Sequence, residues 1–167
     1  MGQQSLADIR AKFVAREKSV TLVMDGGLLA EHEQLTSSLE KALQKARNSL
    51  ADDGGVRALG EQIQAVEARL ADATVTFKVR GIGRNQFRRL LADNPGKDGS
   101  GWDKEEFPVE LIAACSLDPV MTREEVIGLG DILSDGQWEE LFDAAFAACR
   151  EVDGIPFNVA ASVVTQP

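Results

Sequence analysis

The feature that most constrains the fold is a change of period inside one short stretch, VTFKVRGIGRNQFRRLLADNP, residues 75–95. Val75, Phe77 and Val79 alternate with Thr76, Lys78 and Arg80, and a period of two marks a strand with one buried face. Gly81 and Gly83 interrupt the alternation, glycine being free to take the backbone angles a sharp turn needs. Beyond the turn, Phe87, Leu90 and Leu91 fall at i, i+3 and i+4, a helical stripe. Pro95 ends it, because proline cannot continue a helix. An earlier segment, 19–25, alternates Val20, Leu22 and Met24 with Thr21, Val23 and Asp25 and is expected to be the partner strand, closed by the breaker Asp25-Gly26-Gly27.

Between the two strands the period is helical. Leu35, Leu39, Leu43, Ala46 and Leu50 step by three or four residues, ADDGG at 51–55 interrupts, and Val56, Leu59, Ile63, Val66, Leu70 and Ala73 continue in an a/d register. Two helices with facing apolar seams and a short glycine-rich turn predict an antiparallel hairpin, its second helix roughly 25 Å long. A hairpin that leaves one strand and returns to the other brings those strands together as neighbours.

The flanks are also helical in pattern. Over residues 1–18, Leu6, Ile9 and Phe13 follow Ser5, which with Asp8 resembles a capping pair; so short a helix must dock to persist, or serves as a leader. After the polar loop NPGKDGS at 94–100, the aromatics Trp102 and Phe107 with Pro108 are expected to anchor the chain to the core. Val109, Leu111, Ile112 and Cys115 predict a short buried helix ending near Asp118-Pro119. Thr122 with Glu125 and Ser134 with Gln137 are capping boxes opening two more helices. The second carries Trp138, Leu141, Phe142, Ala145, Phe146 and Cys149, the strongest amphipathic pattern in the chain. The expected architecture is α+β, mostly α: a small antiparallel sheet with strands near 19–25 and 74–80, a coiled-coil helical hairpin arm within a unit 19–96, an acidic helical region at 97–154, and an uncharged tail at 155–167.

Charge narrows the partners. The net charge is −9 over 167 residues, and an acidic protein repels nucleic acid. Residues 74–96 nevertheless carry five basic groups against one acidic, whereas 97–167 carry four against fifteen. The local basic group, Lys78, Arg80, Arg84, Arg88 and Arg89, is a phosphate-patch candidate that is better read as facing the acidic C-terminal part or as a solvated face. No run of about 18 apolar residues exists to cross a membrane. The N-terminal stretch lacks the apolar core and cleavage site of a secretory signal. Cys115 and Cys149 are far apart in sequence with no CxxC, the usage of two reduced, buried thiols in a cytosolic protein.

Catalytic sets are missing. The one histidine, His32, lies between Glu31 and Glu33 at a helix start, and one histidine offers no metal set and anchors no triad. Gly81-Ile82-Gly83 has Gln86 where a dinucleotide loop needs its third glycine. Residues 94–105 match a calcium loop at Asp98, Gly99 and Glu105 but place Asn94 and Gly96 at the early ligand positions. The paired glutamates 105–106, 124–125 and 139–140 are sequence neighbours that point different ways on a helix. A binding protein without cofactor or metal is expected, rather than an enzyme.

Five segments, SLADIRAKF, VTLVMDGGLLAEHEQL, TFKVRGIGRNQFRRLLADNP, FPVELIAACSLDP and LSDGQWEELFDAAFA, cover 73 of the 167 residues. In that order they resemble the tail assembly chaperones of long-tailed bacteriophages of actinobacteria. The resemblance implies a non-enzymatic protein of the infected host's cytoplasm, absent from the mature virion. It would bind the coiled-coil-prone tape measure protein, keep it soluble, and help tail tube proteins assemble around it. It supplies no catalytic residues. Such a client needs apolar grooves or helical seams, so Leu59, Ile63 and Val66 on the arm and Trp138 and Phe142 on the last helix are partner-binding candidates, with Arg84, Arg88 and Arg89 as an electrostatic alternative. For each apolar candidate the competing reading is packing within the chain. Exposed seams also predict a homo-oligomer when no client is present. The alternative functions are a structural component of the virion and, third, a small metabolic or nucleotide-binding enzyme.

Overall fold

A computed structural model describes residues 5–48 and 54–152. The described chain is α+β and mostly helical: α1 (Leu6–Lys12), β1 (Glu17–Val23), α2 (Gly26–Arg47), α3 (Gly54–Asp72), β2 (Thr74–Arg80), α4 (Arg84–Asp93), α5 (Glu106–Cys115), β3 (Ser116–Asp118), α6 (Arg123–Gly130) and α7 (Asp135–Arg150). The expected tail and most of the ADDGG turn lie outside the described residues.

β1 and β2 pair antiparallel along their whole length, Val20 opposite Phe77 and Thr21 opposite Thr76. Opposed residues share a face, so Val20, Leu22, Phe77 and Val79 turn together into the core. The other face is polar: the Thr21 and Thr76 hydroxyls lie 3.1 Å apart and Arg80 binds Glu17. The sheet has a third strand that the sequence reading did not anticipate. The helix expected to run towards Asp118 stops at Cys115, and Ser116–Asp118 pairs with β2 through a register shift at Lys78/Val79. Three residues are too few for an alternation to be visible.

Two boundaries also move. Asp25 is not a breaker but the N-cap of α2: its Oδ1 accepts from the N–H groups of Gly27 and Leu28 at 2.9 and 3.1 Å. Strand β1 correspondingly begins earlier and ends at Val23. The helix α1 has its capping box, yet none of its residues is buried; Leu6, Ile9 and Phe13 are exposed, so its expected docking does not occur within the described chain.

The arm forms as expected. α2 and α3 pack on each other, with His32–Glu67 (3.2 Å) and Glu31–Arg69 (3.3 Å) bridging them. Leu28 and Val66 are buried there, separate from the main core cluster.

The core lies between the sheet and α4–α7, with Phe87, Phe107, Leu111, Ile112, Cys115, Val126, Leu141 and Ala145 completing it. α7 runs antiparallel along β1 and is fixed at both ends. Gln137 Nε2 donates to the Val23 carbonyl at 2.9 Å, and Glu151 meets Arg16 and Lys18 at 3.0 and 2.6 Å. The fit is one of length: α7 has 16 residues and β1 seven, so each spans ~24 Å at about 1.5 and 3.3 Å per residue. The capping boxes at Thr122/Glu125 and Ser134/Gln137 both form.

Candidate partner-binding cleft

The aromatic residues converge. Trp102, Phe107, Phe142, Phe146 and Phe87 make one contiguous set with ring centroids 5.3–6.2 Å apart, three of the contacts edge-on, as ring quadrupoles prefer. Phe107 is fully buried at the centre. At the edge of this cluster Trp102 and Trp138 remain half-buried and line a cleft of about 570 Å³ with Pro108 and Phe142; Lys104, Asp135 and Glu139 contribute charged groups to its lining.

Each tryptophan is held by its own local structure. Trp102 bridges to Pro95 across the loop 94–106. That loop needs glycine at two positions of positive φ, Gly99 (79°) and Gly101 (65°), and at Gly96, where a Cβ would lie 2.1 Å from the Ser100 carbonyl oxygen. The loop's acidic groups brace it. Asp98 accepts from the Ser100 N–H and hydroxyl, and Asp103 accepts from the Glu105 and Glu106 N–H groups at the start of α5. These hydrogen bonds hold both carboxyls below their ordinary pKa, because the charged form is the better acceptor. Lys97 is held above its ordinary value, first by its hydrogen bond to Glu105 and then by the charges of Glu105 and Asp103. Trp138 stands in the first turn of α7 beside Gly130, where a Cβ would come within 3.3 Å of its ring.

The sequence candidates therefore separate into three places. Trp138 and Phe142 are joined in the cleft, and Trp102, expected only as a core anchor, joins them. Among the described residues, none from the arm lines the cleft. Leu59 and Ile63 are half-buried, whereas Val66, at 3 % exposure, belongs to the interior of the arm and is not available to a partner. Arg84, Arg88 and Arg89 are exposed on α4 and form no ion pair among the described residues. The basic group does not as a whole face the acidic C-terminal part. Lys78 stands opposite Asp118, Arg80 binds Glu17, and the three arginines are a solvated face. The acidic part is met by Arg16 and Lys18 at Glu151, and internally by Arg123, which bridges Glu106 and Glu110 and so ties α6 to α5.

Among the described residues no group of His, Cys, Asp or Glu is arranged to hold a metal, and no helix is long and apolar enough to cross a membrane. No family model matches the chain, and no curated protein or solved structure shows significant similarity to it.

Proposed function

We propose that this protein is a bacteriophage tail assembly chaperone that binds the tape measure protein in the host cytoplasm and assists assembly of the tail tube, without remaining in the virion. The observation that carries the reading is the cleft between Trp102 and Trp138. It presents an aromatic floor, with Pro108, edged by charge, the chemistry that receives one apolar face of an amphipathic helix. Tryptophan at such a position supplies a large contact area at small entropic cost and is typical of binding hot spots. The surrounding acidity keeps a complex with an aggregation-prone client dispersed. The half-buried Leu59 and Ile63 offer a second seam to a long helical client.

Co-expression with a phage tape measure protein tests this. The client is expected to be insoluble alone and soluble with the chain. Trp138→Ala should weaken the complex about 30-fold, the value of a ~2 kcal/mol hot spot. Ser100→Trp, which fills the cleft from an exposed loop position, should do the same without truncating a packed ring. A client left insoluble by the wild-type chain overturns the reading. The chain's presence in purified particles by mass spectrometry favours a virion component instead.

A further inference from the structure

The two cysteines lie 34 residues apart in sequence, yet their Sγ atoms are 3.5 Å apart, across the C-terminal ends of α5 and α7. Both are free thiols, and they differ in access: Cys115 is 1 % exposed, whereas Cys149 is half-buried. Cys149 lines a surface groove with Phe87, Leu91 and two arginines, Arg88 and Arg150. The turn between β2 and α4 closes the pair from a third side. Gly81 lies so close to the Ala148 carbonyl that a Cβ there would be 2.2 Å from its oxygen and 3.4 Å from the Cys149 nitrogen.

We propose that Cys149 and Cys115 are a reversible dithiol–disulfide site, with Cys149 attacking and Cys115 resolving, whose oxidant is a small anionic disulfide drawn to the groove by Arg88 and Arg150. The Cys149 thiolate attacks one sulfur of the small disulfide, forming a mixed disulfide and expelling the other half as a thiolate, which takes up the proton that Cys149 lost to solvent. Cys115 then attacks the Cys149 sulfur. The Cys115–Cys149 bond forms, the second half leaves as a thiolate, and it takes up the Cys115 proton. Two electrons pass from the cysteine pair to the small disulfide, which ends as two thiols.

The asymmetry between the sulfurs assigns the roles. The Cys149 thiol is lowered to about 7, chiefly by its hydrogen bond with Cys115 and further by the Ile82 backbone, against the opposing effect of burial. Cys115 is pushed up, by that same hydrogen bond, by burial, and by the charge of Cys149. The thiolate is the nucleophile in exchange, so the accessible sulfur reacts first and the buried one follows. The inference does not depend on the chaperone reading.

The test uses the full chain, reduced and then exposed to oxidised glutathione, which carries carboxylates. Wild type is expected to lose two hydrogens in intact mass while remaining a single chain, with peptides containing Cys115 and Cys149 linked. Cys115→Ser is expected to stop at a glutathione adduct on Cys149. In the single-cysteine variants, iodoacetamide should modify Cys149 at least about tenfold faster than Cys115. Arg88→Gln, at an exposed position, should slow oxidation by glutathione several-fold and leave oxidation by the neutral 2-hydroxyethyl disulfide unchanged. Disulfide-linked dimers in place of the internal bond, a Cys115 that reacts as fast as Cys149, or equal slowing with both oxidants overturns the proposal. Wild type supplies the first readout by itself, so a variant that fails to fold does not shield the idea.

Discussion

Gly81→Ala separates two reasons for a glycine at the end of β2. The sequence reading attributes Gly81 and Gly83 to turn angles, but neither has a positive φ. Gly83 is the N-cap of α4 at φ −62°, ψ 150°, with open space where a Cβ would be and no side-chain cap. At Gly81 the constraint is proximity: a Cβ would be 2.2 Å from the Ala148 oxygen and 2.9 Å from its carbonyl carbon. Carbon atoms pack at ~3.5 Å, so the turn and α7 must part by about 1 Å. Both partners are backbone, so no side-chain rotation relieves the contact. The expected cost is the upper end of overpacking penalties, ~3 kcal/mol. For a chain of this size that lowers the thermal midpoint by about 6–12 °C. Gly83→Ser should move the other way. It adds a capping hydroxyl and reduces the freedom of the unfolded chain, gaining about 0.5–1 kcal/mol. Urea unfolding of the two variants beside wild type measures both. A Gly81→Ala variant within about 0.5 kcal/mol of wild type, the range of inert surface changes, refutes the close-approach argument, as does a shift of both variants in the same direction.

Four further outcomes are expected. Phe107→Ala, at the centre of the ring cluster and fully buried, should cost ~3–5 kcal/mol by urea unfolding. Ser134→Ala removes the cap and capping box of α7 and should cost about 1 kcal/mol in the same assay. Glu151→Gln should lower the unfolding midpoint at pH 7, and by less as the pH is taken down through the acid range. Hydrogen bonding to Lys18, then the charges of Lys18 and Arg16, hold its pKa below the ordinary 4.5; its contribution is therefore present above that value and is lost as pH falls through the lower, folded one. Oxidation of the cysteine pair closes a loop with a sequence separation of 34 and should stabilise the fold by about 4 kcal/mol on the chain-entropy estimate, read as a higher urea midpoint that dithiothreitol reverses.

What was legible in the sequence were features set by local periodicity. The pairing of β1 with β2 followed from two alternating segments and from the hairpin that must return to its origin. The capping boxes at Ser5, Thr122 and Ser134 were legible because each is a contact three residues long. β3 was not, since three residues carry no period and its pairing depends on where α5 happens to end. The capping role of Asp25 is hidden because Asp-Gly-Gly is turn-like in composition, whereas the two N–H groups that donate to its carboxylate belong to a helix whose apolar stripe begins only at Leu28.

The site divides along the same line. Trp138 and Phe142 could be singled out because they are four residues apart on one helical face, and that face meets Trp102 only through the loop 94–106. Val66 shows where a periodic pattern stops deciding. Its a/d position identifies a seam residue, and a seam between α2 and α3 satisfies the pattern as well as a seam with a client would; only its burial decides between them. The same ambiguity applies with opposite outcome to α1, whose Leu6, Ile9 and Phe13 have helical spacing and are all exposed. The cysteine pair was beyond any local pattern. Its two members come from different helices, and their approach depends on Gly81 admitting the turn to the end of α7. The strand–turn–helix stretch thus also sets the geometry of the dithiol, so Gly81→Ala is expected to slow formation of the Cys115–Cys149 bond, as well as to destabilise the fold. Parting the turn from α7 displaces the backbone at Ala148 and Cys149, and with it the sulfur that must meet Cys115.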